Sequence, residues 1–243
     1  MELRRVIRQR HMVRSFSEQA VDVGVIESLL ACALRAPSAG NTKGTAWVVL
    51  EGKEETGIYW QNATTEDWRS SSPRWPGLSR APVIFLSLCS PEAYLSRYAE
   101  EDKSGALEPA GLSEGESSWP VPYWFGDASF ATMLLLLSVQ DAGLGAAFLG
   151  NFRGEAALLE ALGVPPGWRF FGAVLIGQSD GMDHRSASLD RVGPTDSDRT
   201  HRGRWDESRL KRDSLDGTVQ ALGQPPRGSH GFHPGDRDPN HPA

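Results

Sequence analysis

Residues 127–140 carry the run Met133-Leu134-Leu135-Leu136-Leu137 inside a segment that is apolar on nearly every face. A helix of that kind is buried in a core or at a subunit interface, because no face of it suits water. It is far shorter than the ~20 apolar residues that span a bilayer. The rest of the chain therefore has to be arranged around an internal helix, and no membrane partner is expected.

Apolar spacing predicts the surrounding elements. Residues 2–14 read as a basic helix, followed by a break over 15–20. Val21, Val25, Ile26, Leu29, Leu30 and Ala33 recur at helical spacing, and Pro37 stops that helix. Short apolar runs at 47–50, 82–88, 144–149 and 171–176 read as strands. Short helices are expected at 54–60, 91–100 and 155–162. Residues 61–80 and 103–122, rich in Ser, Gly, Pro and Trp, read as loops, and loops of that length in a compact domain are functional or disordered. From Asp206 the composition turns to Gly, Pro, Asp, His and Arg. Such a segment cannot bury enough apolar surface to offset its ordering entropy. The expected organisation is one domain over 1–205 and a disordered tail over 206–243.

The formal net charge of −6 argues against a general nucleic-acid binder, which shows a clustered basic footprint. Arg4, Arg5, Arg8, Arg10 and Arg14 form the one dense basic cluster. The two cysteines, Cys32 and Cys89, sit in apolar patterns and are expected as buried thiols rather than a disulfide. No zinc-ligand spacing occurs, so no metal is expected. The basic N-terminus lacks the apolar stretch of a secretory signal, which makes the cytoplasm the default location.

Two segments carry the chemistry. Arg10-His11-Met12-Val13-Arg14-Ser15-Phe16 places two arginines four residues apart. On a helix their guanidinium groups can converge on one anion, and arginine suits phosphate because its planar fork donates paired hydrogen bonds. Taken alone, the pattern is equally that of a solvated basic face. Ala36-Pro37-Ser38-Ala39-Gly40-Asn41-Thr42 is a small, polar turn between a helix and a strand. Its small side chains allow close backbone approach to a flat ring, with Ser38 and Asn41 as donors. Taken alone, it is simply a loop. Together the two segments suggest a bound flavin mononucleotide (FMN).

Rival motifs fail. Gly143-Leu144-Gly145 follows a helix and precedes a strand, the reverse of the dinucleotide fingerprint, and reads as a helix end with close packing. No G-x-S-x-G and no nucleophile–base set occurs, as expected where a cofactor carries the reaction.

In this order the pieces resemble the FMN-dependent nitroreductase family. Arg10 to Phe16 resembles R-R-S-x-R-x-F, and Ala36 to Thr45 resembles A-P-S-x-x-N-x-Q-P-W. Met133 to Gly150 resembles a buried helix running into G-L-G and a strand. Leu162-Gly163-Val164-Pro165 and the run Phe171 to Gly177 complete the match, which spans about 4–205. The resemblance implies an α+β fold, a central mixed β-sheet flanked by helices, in an intertwined homodimer with FMN at the subunit interface. It implies that Arg10, His11, Met12 and Arg14 hold the phosphate and ribityl chain. Pro37, Ser38, Asn41 and Lys43 would line the ring, Gly150 and Asn151 would lie near flavin N5, and Arg191 would be a further phosphate anchor. Met12 stands where the family has Ser, and Lys43-Gly44-Thr45 where it has Gln-Pro-Trp. A lysine near the flavin pyrimidine favours the anionic reduced form.

The implied activity is an NAD(P)H-dependent oxidoreductase in which flavin N5, not a side chain, carries the chemistry. NADPH or NADH and a nitroaromatic, quinone or other electron-poor acceptor would use one pocket in turn, giving ping-pong order. Two alternatives are a dehydrogenase acting on a biosynthetic intermediate and a flavin-binding protein without turnover. Tyr123, Trp124 and Phe125 immediately precede the apolar helix and are the expected aromatic wall of the substrate pocket.

Overall fold

The computed structural model describes residues 2–103, 111–150, 153–183, 186, 190–191 and 193–209. Two compact units divide the chain, 1–185 and 186–243.

The first unit is built on β2, Val83–Cys89, every residue of which is buried. Its side chains alternate between two cores, as the period-2 geometry of a strand requires. Ile84, Leu86 and Leu88 enter one core, while Val83 and Phe85 enter the other. β4, Arg169–Gly177, alternates in the same way through Ala173 and Leu175 on one side and Val174 and Ile176 on the other. β1, Thr45–Glu51, and β3, Gly145–Leu149, flank them in the order β1-β2-β4-β3. All three strand pairings are antiparallel. The expected mixed sheet is thus reduced to an isolated parallel bridge between Met12 and Ala146.

Helices cover both faces. On one lie α1 (Leu3–Gln9), α2 (Val23–Ala33) and the long apolar helix. On the other lies α3 (Gly52–Ala63), whose Tyr59 and Trp60 pack beneath the sheet. Asp22 caps α2 by accepting from the Gly24 and Val25 backbone N–H groups. Two short helices, α4 (Glu66–Ser71) and α5 (Trp75–Leu78), replace the loop expected over 61–80. Thr65 caps α4 through Trp68 N, and Pro76 sits in the first turn of α5, where its missing N–H costs nothing. The tryptophans there pack edge-on, Trp68 on Trp75 at 5.9 Å and Trp75 on Trp60 at 5.1 Å. α6 spans Pro91–Tyr98.

The apolar helix, α7, runs Tyr123–Asp141 and buries Ala128, Ala131, Leu135, Leu136 and Val139. It begins four residues earlier than its apolar pattern predicts. It ends in a two-bond glycine cap: Leu144 N donates to Val139 O, Gly143 N donates to Gln140 O, and Gly143 has φ 75°. The Gly143–Gly145 pair is therefore a helix end, as its order predicts. A Cβ on Gly145 would sit 2.8 Å from Val13, so close packing fixes the second glycine. α8 is Glu155–Ala161.

Two further expectations are corrected. The basic helix stops at Gln9, and the chain from His11 to Ser17 is extended, because burying Val13 and Phe16 against the sheet outweighs continuing a helix with one buried residue. Cys32 is exposed on α2, whereas Cys89 is buried, and burial pushes its thiol up to about 12.

In the second unit, Thr195 N and Oγ1 both donate to Asp198 Oδ2, and His201 stacks on Trp205 at 4.0 Å. A short helical turn covers Glu207–Arg209. The tail expected over 206–243 lies, beyond 209, outside the described residues. Among the described residues no helix is long and apolar enough to cross a membrane.

Candidate functional site

The arginine segment is positioned by the sheet edge and by the turn after β4. Val13 N donates to Ala146 O at 2.8 Å and Ser17 N to Gln178 O at 2.9 Å. Arg14 N donates to Asp183 Oδ2 at 2.9 Å. The Ser15 hydroxyl donates to Asp180 Oδ2 at 2.8 Å, and Arg80 pairs with the same carboxylate while donating to Phe16 O. The Met182 backbone N–H first, then Ser15 and Arg80, hold the Asp180 carboxyl below the usual carboxylate range.

Because the segment is extended, Arg10 and Arg14 are not one helical turn apart. Arg10 is the C-cap of α1, and its Nη1 is shielded from solvent with no hydrogen-bond partner among the described residues. A buried guanidinium N–H without an acceptor is costly, and an anion would remove the cost. His11 is exposed, with Nδ1 3.0 Å from Gln9 O. Arg14 is half-buried and lines a cleft of about 310 Å³ with Tyr59, Trp60, Thr64, Trp68 and Gly150. Asn151 lies outside the described residues, and Arg191 is an exposed residue of the second unit.

The loop 36–44 is held from elsewhere. Gly40, Asn41 and Lys43 have φ of 63°, 54° and 55°. Left-handed backbone at the two non-glycine positions costs ~1–3 kcal/mol each and survives only where surrounding bonds over-determine it. Those bonds are present. Lys43 N donates to Ser38 Oγ at 2.8 Å, Thr42 Oγ1 to Ala39 O at 2.6 Å, Arg97 Nε to Gly40 O at 2.9 Å, and Ala39 N to Asp127 Oδ2 at 2.8 Å. Pro37, Asn41 and Lys43 remain exposed. None of these loop residues lines the Arg14 cleft.

The three aromatic residues at the head of α7 have different surroundings. Trp124 is 3% exposed and packs edge-on against Tyr94 and Trp119 at 6.1 and 5.9 Å. Its position in the first turn of α7 turns it inward, so in the protomer it is a core ring rather than a wall. Phe125 is half-buried, 6.3 Å from Phe171, and Tyr123 is 44% exposed.

Sequence reasoning misses Asp127, Tyr94, Arg97, Asp180 and Asp183, the groups that hold the two segments in place. Asp127 alone leaves a trace: a single carboxylate near the start of an apolar helix.

Comparison with known proteins agrees with this architecture. The Nitroreductase family model matches residues 7–178. A protein of Archaeoglobus fulgidus, named as an NADH dehydrogenase/NAD(P)H nitroreductase, is 28% identical over 208 residues, covering 84% of this chain and 99% of its own. Among solved structures, the nitroreductase CinD from Lactococcus lactis, crystallised with nicotinic acid, superposes with a TM-score of 0.64 at 13% identity, covering 84% of this chain and all of its own. A Desulfovibrio desulfuricans protein solved with FMN superposes with a TM-score of 0.51 at 22% identity, covering 79% of this chain and 96% of its own. The matched region takes in the arginine segment, the 36–44 loop, α7 and the whole sheet, and on that match the chain belongs to the nitroreductase family.

Proposed function

We propose that this chain is an FMN-dependent NAD(P)H oxidoreductase that reduces electron-poor aromatic acceptors such as nitroaromatics and quinones. The observation that carries the reading is the shielded, unpartnered Nη1 of Arg10, in a segment that resembles the family's phosphate clamp. The residues fit FMN. Arg10 offers a guanidinium to the phosphate, with His11 and Met12 next to it in the chain. Arg14 and Gly150 line a cleft wide enough for part of a flat ring. Pro37, Asn41 and Lys43 are exposed on the loop with Ser38 half-buried between them, and Asn151 follows Gly150 in the chain.

FMN, when bound, supplies two-electron transfer between a nicotinamide and an acceptor. The chain's residues bind and orient, and one shared pocket makes reductant and acceptor alternate. Since the cleft and the loop do not meet in the described cleft lining, the reading takes the loop of one protomer to face the cleft of its partner in a homodimer. Exposed Leu3, Ile7, Val23, Phe130 and Met133 on α1, α2 and α7 supply apolar surface for that contact. The flavin-binding part is taken as 1–205, and use of NADPH or NADH fits a cytoplasmic setting.

The test is the colour of the purified protein, the identity of the flavin released on denaturation, and anaerobic bleaching by NADPH and NADH. Stoichiometric FMN bleached by either nicotinamide supports the reading. Colourless protein that does not take up added FMN overturns it, and bound FMN that neither nicotinamide reduces points to a dehydrogenase instead.

A further inference from the structure

Asp127 is 3% exposed in the second turn of α7, a helix with no other acidic residue before its last position, Asp141. Among the described residues no cation lies within ion-pair distance of it. Its Oδ2 instead accepts two hydrogen bonds, one from Ala39 N at 2.8 Å and one from Tyr94 OH at 2.6 Å. A buried carboxyl without a counter-ion is retained only where its oxygens find hydrogen-bond donors. Core packing alone would be served by an apolar residue at this position. What an apolar residue cannot do is accept the Ala39 N–H, which belongs to a segment 88 residues earlier.

Ala39 opens the turn whose next residues, Gly40 and Asn41, are left-handed. Its carbonyl accepts from Thr42 N and Thr42 Oγ1, so Ala39 is held at its N–H by Asp127 and at its carbonyl by the far end of the turn. Tyr94 is fully buried, and burial first, then its bond to Asp127, pushes its phenol up, which keeps it a donor. The Ser38 hydroxyl is a further neighbour of the same phenol. One helix turn on, Arg97 donates to Gly40 O and is itself held by Asp102, while Tyr98 lies where a Cβ on Gly40 would be, at 2.9 Å. α6 and α7 thus clamp the loop from two sides, and Asp127 is the point at which the clamps join.

We propose that Asp127 is a positioning residue: with Tyr94 it locks the left-handed 38–41 turn into the shape that receives the flavin ring, before the cofactor arrives. The proposal rests on the flavin reading for its purpose, but the lock itself is a property of the apoprotein.

The test compares Asp127→Ala, Asp127→Asn and Tyr94→Phe in the full-length chain. Amide exchange is read in flavin-free protein over peptides covering 36–44 and 83–89, and FMN affinity is read by fluorescence titration. In Asp127→Ala, exchange over 36–44 should rise by about tenfold or more with 83–89 unchanged, the signature of local rather than global opening. Its FMN dissociation constant should rise by about tenfold. Asp127→Asn keeps a carbonyl oxygen that can accept from both donors, and should stay within about threefold of the parent in both readouts. Tyr94→Phe should fall between. Parent-like exchange over 36–44 in Asp127→Ala overturns the proposal, as does an Asp127→Asn variant as impaired as the alanine. Should Asp127→Ala not fold, Tyr94→Phe decides: unchanged exchange over 36–44 overturns the proposal. A parent protein that fails to bind FMN sinks the flavin reading alone, and the exchange arm still judges the lock.

Discussion

The sulfur of Met12 accepts the backbone N–H of Phe148 at 3.4 Å, so the residue standing in place of the family's serine props the edge of the sheet. β3 pairs with β4 on one side only, and its other side meets the 12–13 segment. Met12 supplies there a soft acceptor and half-buried apolar volume.

Met12→Ser is therefore expected to lower the unfolding free energy by about 1–2 kcal/mol, less than the cost of truncating a fully buried methionine. Urea denaturation measures it. An unchanged midpoint would mean that the thioether does not support β3.

Arg10 gives a prediction with opposite signs in two states. In the apoprotein its shielded Nη1 lacks an acceptor among the described residues, so Arg10→Met, which keeps the apolar stem, should leave the fold at least as stable as the parent. With FMN present the same change should weaken binding by roughly 1.5–3 kcal/mol, the range for a hydrogen bond to a charged group. Paired melts with and without FMN read both. Equal flavin affinity in parent and variant would remove Arg10 from the site.

Acid should loosen the arginine segment through Asp180. Its folded carboxyl lies below the usual range, held by the Met182 N–H, Ser15 and Arg80. A lowered folded pKa stabilises the protein above the unfolded value of about 3.9, and that contribution is lost as pH falls through the folded value. Asp180→Asn should be less stable than the parent at neutral pH, and the gap should close on acidification below about pH 4. A gap of constant size from neutral to acid pH would assign the loss to packing rather than to charge.

Much of this fold is written locally. β2 reads as a strand because it is apolar throughout, and α7 as a buried helix because Met133 to Leu137 leave it no polar face. The segment after Gln9 misleads because its extended form is decided by contacts of Val13 and Phe16 with the sheet, which local spacing does not carry. Residues 61–80 mislead because α4 and α5 are too short for apolar periodicity and depend on Thr65 and Pro76. At the site, the arginines and the small-residue loop are legible as residue types. The groups that hold them are not, since Asp127 finds Ala39 across 88 residues of sequence, and Asp183 finds Arg14 across 169.

The same distinction sorts the aromatic residues at the head of α7. Trp124 is enclosed by Tyr94, Trp119 and Ala128, so Trp124→Ala opens a cavity in a packed cluster and should cost about 3–5 kcal/mol. Any loss of flavin in that variant would follow from the fold. Phe125 is half-buried at the edge of the same cluster, 6.3 Å from both Trp124 and Phe171, and Phe171 lies 5.5 Å from Phe148 on β3. A half-buried ring that keeps part of its surface open can stack on a planar acceptor, which adds about 0.5–1.5 kcal/mol beyond burial. Phe125→Ala should therefore raise the Michaelis constant for nitroaromatic and quinone acceptors by about three- to tenfold, with FMN content and melting temperature held. Tyr123, 44% exposed, should have a smaller effect of the same sign. Unchanged kinetics in Phe125→Ala across both acceptor classes would move the substrate wall to the rings of the Arg14 cleft, Trp60 and Trp68, where the same measurement on Trp68→Ala takes over.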